Sequence, residues 1–139
     1  MAYRHYQQLI AEVDEKVRQW LSELPARVDL VEKPIPEARN PRKAPWRNEP
    51  IGLREELYRA FGVDLTQVPG VNSLTAQMLL TEIGPDLSAF PNVAAFASWL
   101  RLCPDKRVSG GKVLSSRTGP TKNRAALALR MAAQSLKQE

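Results

Sequence analysis

The proline-rich segment of residues 33–50 is the feature that most limits which folds this chain can adopt. It holds five prolines in 18 positions, in the run KPIPEARNPRKAPWRNEP. Each proline lacks a backbone N–H and biases the preceding residue toward extended geometry, so the segment can be neither a helix nor a central strand. We therefore expect an extended, proline-rich connector over residues 25–50, and Trp46 predicts that it lies against a protein surface.

The region before the connector carries apolar residues at heptad spacing. Alternating steps of three and four residues place them on one stripe of a helix, as in two helices that supercoil around each other. Residues 1–24 are thus predicted to form a coiled-coil helix through which the chain forms a homo-oligomer. A single amphipathic helix docked on the protein's own core explains the pattern equally well. The stripe consists of Tyr3, Tyr6, Ile10, Val13, Val17, Trp20 and Leu24.

The region after the connector, residues 51–139, has helical periodicity in its apolar residues. Strand signals are poor throughout, so the predicted fold class is all-α, with residues 51–139 as one compact helical domain. Glycine or proline marks the ends of the first two helices. The predicted helices run from Leu53 to Gly62, from Ser73 to Gly84, from about Asn92 to Leu102 and from Thr121 to Lys137.

Positive charge is concentrated in the last 39 residues. Residues 1–100 hold 11 Lys/Arg and 13 Asp/Glu, whereas residues 101–139 hold 9 and 2, in a chain whose formal net charge is +5. Clustered cations displace condensed counterions from phosphates, so this asymmetry favours a nucleic-acid partner over a basic face kept for solubility.

The residue inventory excludes several kinds of chemistry. Cys103 is the only cysteine and His5 the only histidine, which excludes an internal disulfide and disfavours a cysteine-rich zinc site or a Ser-His-Asp triad. No cofactor and no metal ligands are expected in this chain. Its apolar runs fall short of the ~20 residues of a membrane span, and its N-terminus lacks the apolar core of a signal peptide. We expect a cytoplasmic protein without a membrane partner.

A first motif, residues 68–72, lies between two short amphipathic helices and is similar to the hairpin of a helix-hairpin-helix. Such a turn and the following helix N-terminus aim backbone N–H groups at a phosphate without reading bases. Asn72 replaces the last glycine of that pattern, and a helix-helix corner capped by Ser73 is an equally good interpretation. The predicted DNA-binding residues here are Pro69, Gly70, Val71 and Asn72.

A second motif is the basic serine-glycine loop KRVSGGK, residues 106–112, whose spacing is not that of a P-loop. It offers a hydroxyl on a flexible glycine loop among cations, as phosphodiester transfer through a serine requires. No local base is evident, so the residues alone favour a phosphate-binding or mobile loop over a nucleophile. The predicted DNA-binding residues of this region are Arg107, Gly110, Gly111, Lys112, Arg117, Lys122 and Arg124.

Four pieces of sequence follow one another between Val68 and Leu136: VPGVNSLTAQMLLTEIG, FASWLRLCP, VSGGKVLSSRT and NRAALALRMAAQSL. In this order they resemble the C-terminal transposase domain of the insertion-sequence one-ten family, the bridge-RNA-guided transposases. The preceding LYRAFGVDL and the heptad helix resemble the connector and coiled coil upstream of that domain.

This resemblance implies a partial transposase for DNA transposition and recombination, with DNA and a guide RNA as partners. The serine of the family's S-G-G motif falls on Ser109, which the resemblance implies as the nucleophile. The family's divalent metal belongs to an N-terminal RuvC-like domain, which is not seen before Tyr3. We therefore expect a fragment that binds DNA without cutting it alone. A non-catalytic nucleic-acid-binding module and a protein that acts only through its heptad helix remain alternatives.

Overall fold

The computed structural model describes residues 2–39 and 49–138, and it is mostly helical, as the sequence predicts. None of the described helices is both long and apolar enough to cross a lipid bilayer. The α-helices are α1 (Ala2–Glu23), α2 (Leu53–Phe61), α3 (Ser73–Ile83), α4 (Val93–Trp99) and α5 (Arg124–Ser135). Short 3-10 helices cover Leu65–Gln67 and Leu136–Gln138, and one antiparallel sheet contains β1 (Arg107–Ser109) and β2 (Lys112–Ser115).

The chain divides into two compact units, residues 1–77 and 78–139. The core of the first unit forms on α2, because apolar residues recur there every three or four positions and so share one face. Leu53, Leu57, Tyr58 and Ala60 are all buried. Gly62 ends the helix in the left-handed conformation, with φ +78°, and donates its N–H to the carbonyl of Tyr58, as predicted from the glycine.

Most of α1 is exposed to solvent. The apolar stripe predicted to form a coiled coil includes Tyr3 at 76% exposure and Trp20 at 45%, and the buried residue of this helix is Leu21. The C-terminal end of α1 is fastened to α2, because the guanidinium of Arg59 donates to the carbonyls of Leu21 and Leu24. The C-terminal end of α1 is therefore docked on the protein's own core. Most of the apolar stripe remains exposed to solvent.

The described part of the connector is held by two side chains of the first unit. Arg54 donates from Nη2 to the carbonyl of Pro36 at 2.8 Å, and Gln67 donates from Nε2 to the carbonyl of Glu37 at 2.8 Å. The connector thus lies against a protein surface over these residues, as predicted. Trp46, on which that prediction rested, lies outside the described residues.

In the second unit, asparagine side chains set where the helices begin. The Oδ1 atom of Asn92 accepts from the N–H of Ala95 at 2.8 Å, and that of Asn123 accepts from the N–H of Ala125 at 2.9 Å. Such caps satisfy donors that have no partner inside the helix. Because Asn123 is the cap, α5 begins at Arg124 and not at Thr121 as predicted.

The antiparallel β1–β2 hairpin departs from the expectation that strand signals are poor throughout. Gly110 and Gly111 have φ values of +56° and +76°. A two-residue hairpin turn of type I′ needs positive φ at both central positions, and two glycines supply it without strain. The pair Gly-Gly between short runs containing Val108 and Val113 was therefore a hairpin signal that the helical periodicity around it concealed.

Candidate nucleic-acid interface

The first predicted phosphate contact, in the first unit, is a tight turn followed by a helix. The N–H of Val71 donates to the carbonyl of Val68 at 3.1 Å, and Gly70 has a φ of +79°. A type II turn requires positive φ at its third position, which glycine supplies without strain, and proline is common at its second position. Residues 68–71 therefore form a tight turn in which Pro69 and Gly70 each have a defined part.

Asn72 caps α3, so the prediction that Ser73 is the cap is wrong. The Asn72 Oδ1 atom accepts from the N–H of Thr75 at 2.8 Å, while Ser73 is the first helical residue and only 4% exposed. Among described residues other than glycine, positive φ is found at Arg101, so Asn72 replaces glycine here without left-handed geometry. One helix N-terminal donor is consequently used by the cap, which leaves fewer for a phosphate.

The predicted serine-glycine loop is the β1–β2 hairpin, which projects with almost all of its residues exposed. Ser109 is the last residue of β1, directly before the Gly110–Gly111 turn, and Lys112 begins β2. The strand register pairs Ser109 with Lys112, Val108 with Val113 and Arg107 with Ser115, with an irregularity between the last two pairs. The expectation of a flexible glycine loop is corrected by this hydrogen-bonded hairpin.

The predicted DNA-binding cations of the second unit are exposed, and they differ in how they are partnered. Arg107 lies 3.9 Å from Asp105, and Arg124 lies 3.1 Å from Glu82. Both guanidinium side chains keep about three quarters of their surface accessible, at 75% and 76%. By contrast, no hydrogen bond or ion pair joins the side chains of Lys112, Arg117 and Lys122 to any described residue. The charged groups of these three side chains are therefore available to bind a ligand such as a phosphate.

The chain that follows β2 is tied to the base of the hairpin. Pro104 and Thr118 form an isolated antiparallel bridge, and the N–H of Asp105 donates to the carbonyl of Arg117 at 3.0 Å. Arg117 is therefore held by its backbone while its guanidinium stays exposed. These contacts keep Arg117 beside the hairpin that carries Ser109.

Two features of this unit were missed in the sequence analysis. Val108 and Val113 face each other across the strands with 58% and 57% of their surface exposed. Arg101 adopts a left-handed φ of +56°, and its carbonyl accepts from Nη2 of Arg130 at 2.9 Å. The valine pair could have been predicted from the alternation of residues on either side of the Gly-Gly turn. Nothing in the sequence indicates that the backbone of Arg101 is left-handed.

The described residues contain no group of three or more His, Cys, Asp or Glu side chains able to hold a metal ion. The most buried carboxylate among their ion pairs is that of Asp64, at 2% exposure, and it is bound to Arg54, Thr66 and Gln67. Burial acts to raise the pKa of Asp64, but the hydrogen bonds, led by that from Arg54, outweigh it and hold the pKa below its usual range. The carboxylate of Asp64 thus serves to stabilise the fold through these contacts.

A family model described as the Transposase IS116/IS110/IS902 family matches residues 64–138. The matched stretch is more than half of the chain and includes the Pro69–Gly70 turn, the hairpin with Ser109 and α5. No curated protein and no solved structure matches the chain. The match confirms the resemblance noted in the sequence and supports a function related to transposition. The chain therefore belongs to the IS116/IS110/IS902 family of transposases.

Proposed function

We propose that this protein binds DNA during transposition and that its second unit contacts the phosphate backbone. The observation that carries the proposal is the position of Ser109. It is an exposed hydroxyl at the end of a projecting hairpin, beside a two-glycine turn, within the stretch that matches the transposase family. A hydroxyl in this position meets a phosphodiester without crowding from neighbouring side chains.

The cations around Ser109 support a backbone contact. Lys112, Arg117 and Lys122 have no charged partner among the described residues, so phosphate binding would break no internal ion pair of theirs. Cations of this kind contact phosphates in any sequence and fix the register of a protein on the duplex. Arg107 and Arg124 add charge, each with one carboxylate nearby.

Ser109 is the proposed nucleophile of strand exchange. Its Oγ forms a bond to phosphorus while the bond from phosphorus to the leaving nucleoside oxygen breaks, and the hydroxyl proton ends on that oxygen. Nearby cations stabilise the charge on the phosphoryl oxygens in the transition state. No hydrogen bond joins the Ser109 hydroxyl to a described residue, so the chain alone is proposed to bind DNA without cutting it.

Two further contacts complete the proposal. The turn at Pro69–Asn72 is a second backbone contact, through α3 donors that the Asn72 side chain leaves free. The open apolar stripe of α1 joins two copies of the chain, because side chains such as Tyr3, Ile10 and Val13 are exposed at heptad spacing. A guide RNA is a second polyanion that the same cations would bind.

A salt series on the purified chain tests backbone binding. We expect log affinity for labelled duplex DNA to fall linearly with log salt concentration. The triple variant Lys112→Ala/Arg117→Ala/Lys122→Ala should bind at least about tenfold more weakly and lower the slope by about 2–3, at roughly 0.9 per lost phosphate contact. A structured RNA measured in parallel tests the guide partner.

The matched control is Arg4→Ala/Lys16→Ala/Lys33→Ala, which removes the same charge from exposed positions of the first unit. It should retain most of the affinity and nearly the full slope. Equal losses in both triple variants would mean that net charge, and not the hairpin region, drives binding. No binding at low salt would contradict the proposal and leave the α1 stripe as the functional surface.

Covalent capture separates a nucleophile from a passive binding site. With a RuvC-like domain of this family supplied in trans, the chain should form a denaturation-resistant adduct with DNA that Ser109→Ala abolishes while reversible binding persists. The alternative, a non-catalytic nucleic-acid-binding module, is favoured because no hydrogen bond joins the Ser109 hydroxyl to a base among the described residues. This alternative predicts that the wild-type chain and Ser109→Ala both bind DNA and that neither forms an adduct.

A further inference from the structure

We propose that Ser109 and Lys112 form a single phosphate-binding pair, in which the Lys112 ammonium contacts the same phosphate that the Ser109 hydroxyl faces. The inference deepens the proposed function and rests on it for the identity of the ligand, a phosphodiester. Its basis is the strand register, which no consideration of charge or composition supplies.

The register makes the two residues direct cross-strand neighbours. Ser109 ends β1, Lys112 begins β2, and each is the other's partner across the ladder. Directly opposite residues of an antiparallel pair point to the same face, with Cβ atoms about 5 Å apart. The hydroxyl and the ammonium therefore project from one side of the ribbon, and the Val108–Val113 pair, one position further along each strand, projects from the other.

The two-glycine turn enforces this pairing. Gly110 and Gly111 both have positive φ, so the chain reverses in two residues and returns Lys112 to a position opposite Ser109. The other lysines of the region, Lys106 and Lys122, lie outside the ladder.

Neither member of the pair has a competing partner. No hydrogen bond or ion pair joins the side chain of Ser109 or Lys112 to a described residue, and both residues are exposed. The other charged groups of this region are Arg107 on the same strand, Asp105 and Lys106 before it, and Arg117 and Lys122 after β2. Arg107 lies two positions back on the same face, and Asp105, at 3.9 Å from Arg107, offsets part of its charge. Lys112 is thus the cation whose backbone position lies directly opposite Ser109.

A thiol placed at residue 109 measures this proximity without any ligand. Ser109→Cys is made in a Cys103→Ser background, because Cys103 is exposed and would react as well. The thiol pKa is read from the pH dependence of alkylation. A cation about 6 Å away should lower that pKa by about 0.5 to 1 at low ionic strength, and less at high salt.

Three further variants in this background separate the contributions. Lys112→Gln should raise the thiol pKa by about 0.5 to 1, whereas the matched control Lys106→Gln should change it by less than about 0.2. The double variant Lys112→Gln/Val113→Lys keeps the net charge but moves the ammonium to the opposite face of the ribbon, and should act like Lys112→Gln. Circular dichroism verifies that each variant keeps its helical content.

The outcomes separate this inference from the proposed function. An unchanged thiol pKa in Lys112→Gln, or equal effects of Lys112→Gln and Lys106→Gln, would overturn the pairing even where the salt series confirms DNA binding. If Lys112→Gln raises the thiol pKa as expected but the chain does not bind DNA, the proposed function would be overturned and the proximity of residues 109 and 112 would stand. With binding intact, Lys112→Gln should weaken affinity for duplex DNA.

Discussion

The two units differ in how arginine side chains on them are surrounded. In the first unit, the side chains of Arg54 and Arg59 are only 20% and 17% exposed, and carboxylates and backbone carbonyls bind their guanidinium groups. In the second, Arg107 and Arg124 are 75% and 76% exposed. An arginine whose donors are already bonded holds the fold, whereas an arginine with free donors is available to a phosphate.

The contrast follows from what surrounds each cation. Arg54 and Arg59 lie on α2, whose buried face brings them beside the end of α1, the connector and Asp64. The hairpin of the second unit has no comparable cover, since its residues from 107 to 114 are all exposed. Burial near carbonyl groups thus holds the cations of α2 in the fold, whereas Arg107 on the exposed ribbon and Arg124 at the start of α5 keep most of their surface accessible. Four substitutions would break or sharpen this comparison.

The largest effect is expected at the end of α1. Leu21 is 1% exposed, so Leu21→Ala removes buried methyl groups and leaves a cavity, which should lower the free energy of unfolding by about 3 kcal/mol. Urea denaturation followed by circular dichroism measures the loss. The control is Leu114→Ala in the hairpin, at 69% exposure, with an expected change within about 0.5 kcal/mol. Similar losses at both sites would end the contrast between the units.

Asp64→Asn should cost about 2 kcal/mol at neutral pH, because it removes the charge that Arg54 and Thr66 bind in a nearly buried position. The folded-state pKa of Asp64 is lowered, so its stabilisation is fully present above the ordinary carboxyl range and is lost as pH falls through the lowered value. Unfolding measured from neutral to acid pH should therefore show a gap between wild type and variant that narrows in acid. A gap independent of pH would contradict this account.

The cap of α3 gives a smaller effect. Asn72→Ala should destabilise the protein by about 1 kcal/mol and Asn72→Gly by a few tenths, since glycine is tolerated at this position. Thermal denaturation compares the two, and Asn72→Asp, which keeps the accepting oxygen, is the matched control. Equal losses for alanine and aspartate would show that the side-chain oxygen contributes nothing to the helix.

The smallest effect on stability is expected at the tip of the hairpin. Lys112→Gln should change the free energy of unfolding by less than about 0.5 kcal/mol, because the side chain is exposed and has no partner among the described residues. Its effect should instead be weaker binding of duplex DNA at low salt. Arg59→Met should behave in the reverse way, with lower stability and little change in affinity per folded molecule.

Helix positions were largely predictable from the sequence. Apolar residues at helical spacing located α2 and α3, and Gly62 marked the end of α2 because only a residue tolerant of positive φ suits that cap. The ordered motifs from Val68 to Leu136 identified the family on their own. These features depend on neighbours within a few turns of the chain, which is why a linear sequence contains them.

The remaining features depend on residues distant in sequence or on competition between local alternatives. Asn72 and Ser73 are both good caps, and in the fold the Asn72 side chain caps α3 while Ser73 is its buried first residue. The sequence contains Arg54, Asp64 and Pro36 but not the contact that joins them, because it forms only when α2 packs. Likewise, the sequence alone determined that Ser109 and Lys112 lie among cations near glycines. Only the folded hairpin decided that they oppose each other, because hydrogen bonding between strands sets the register.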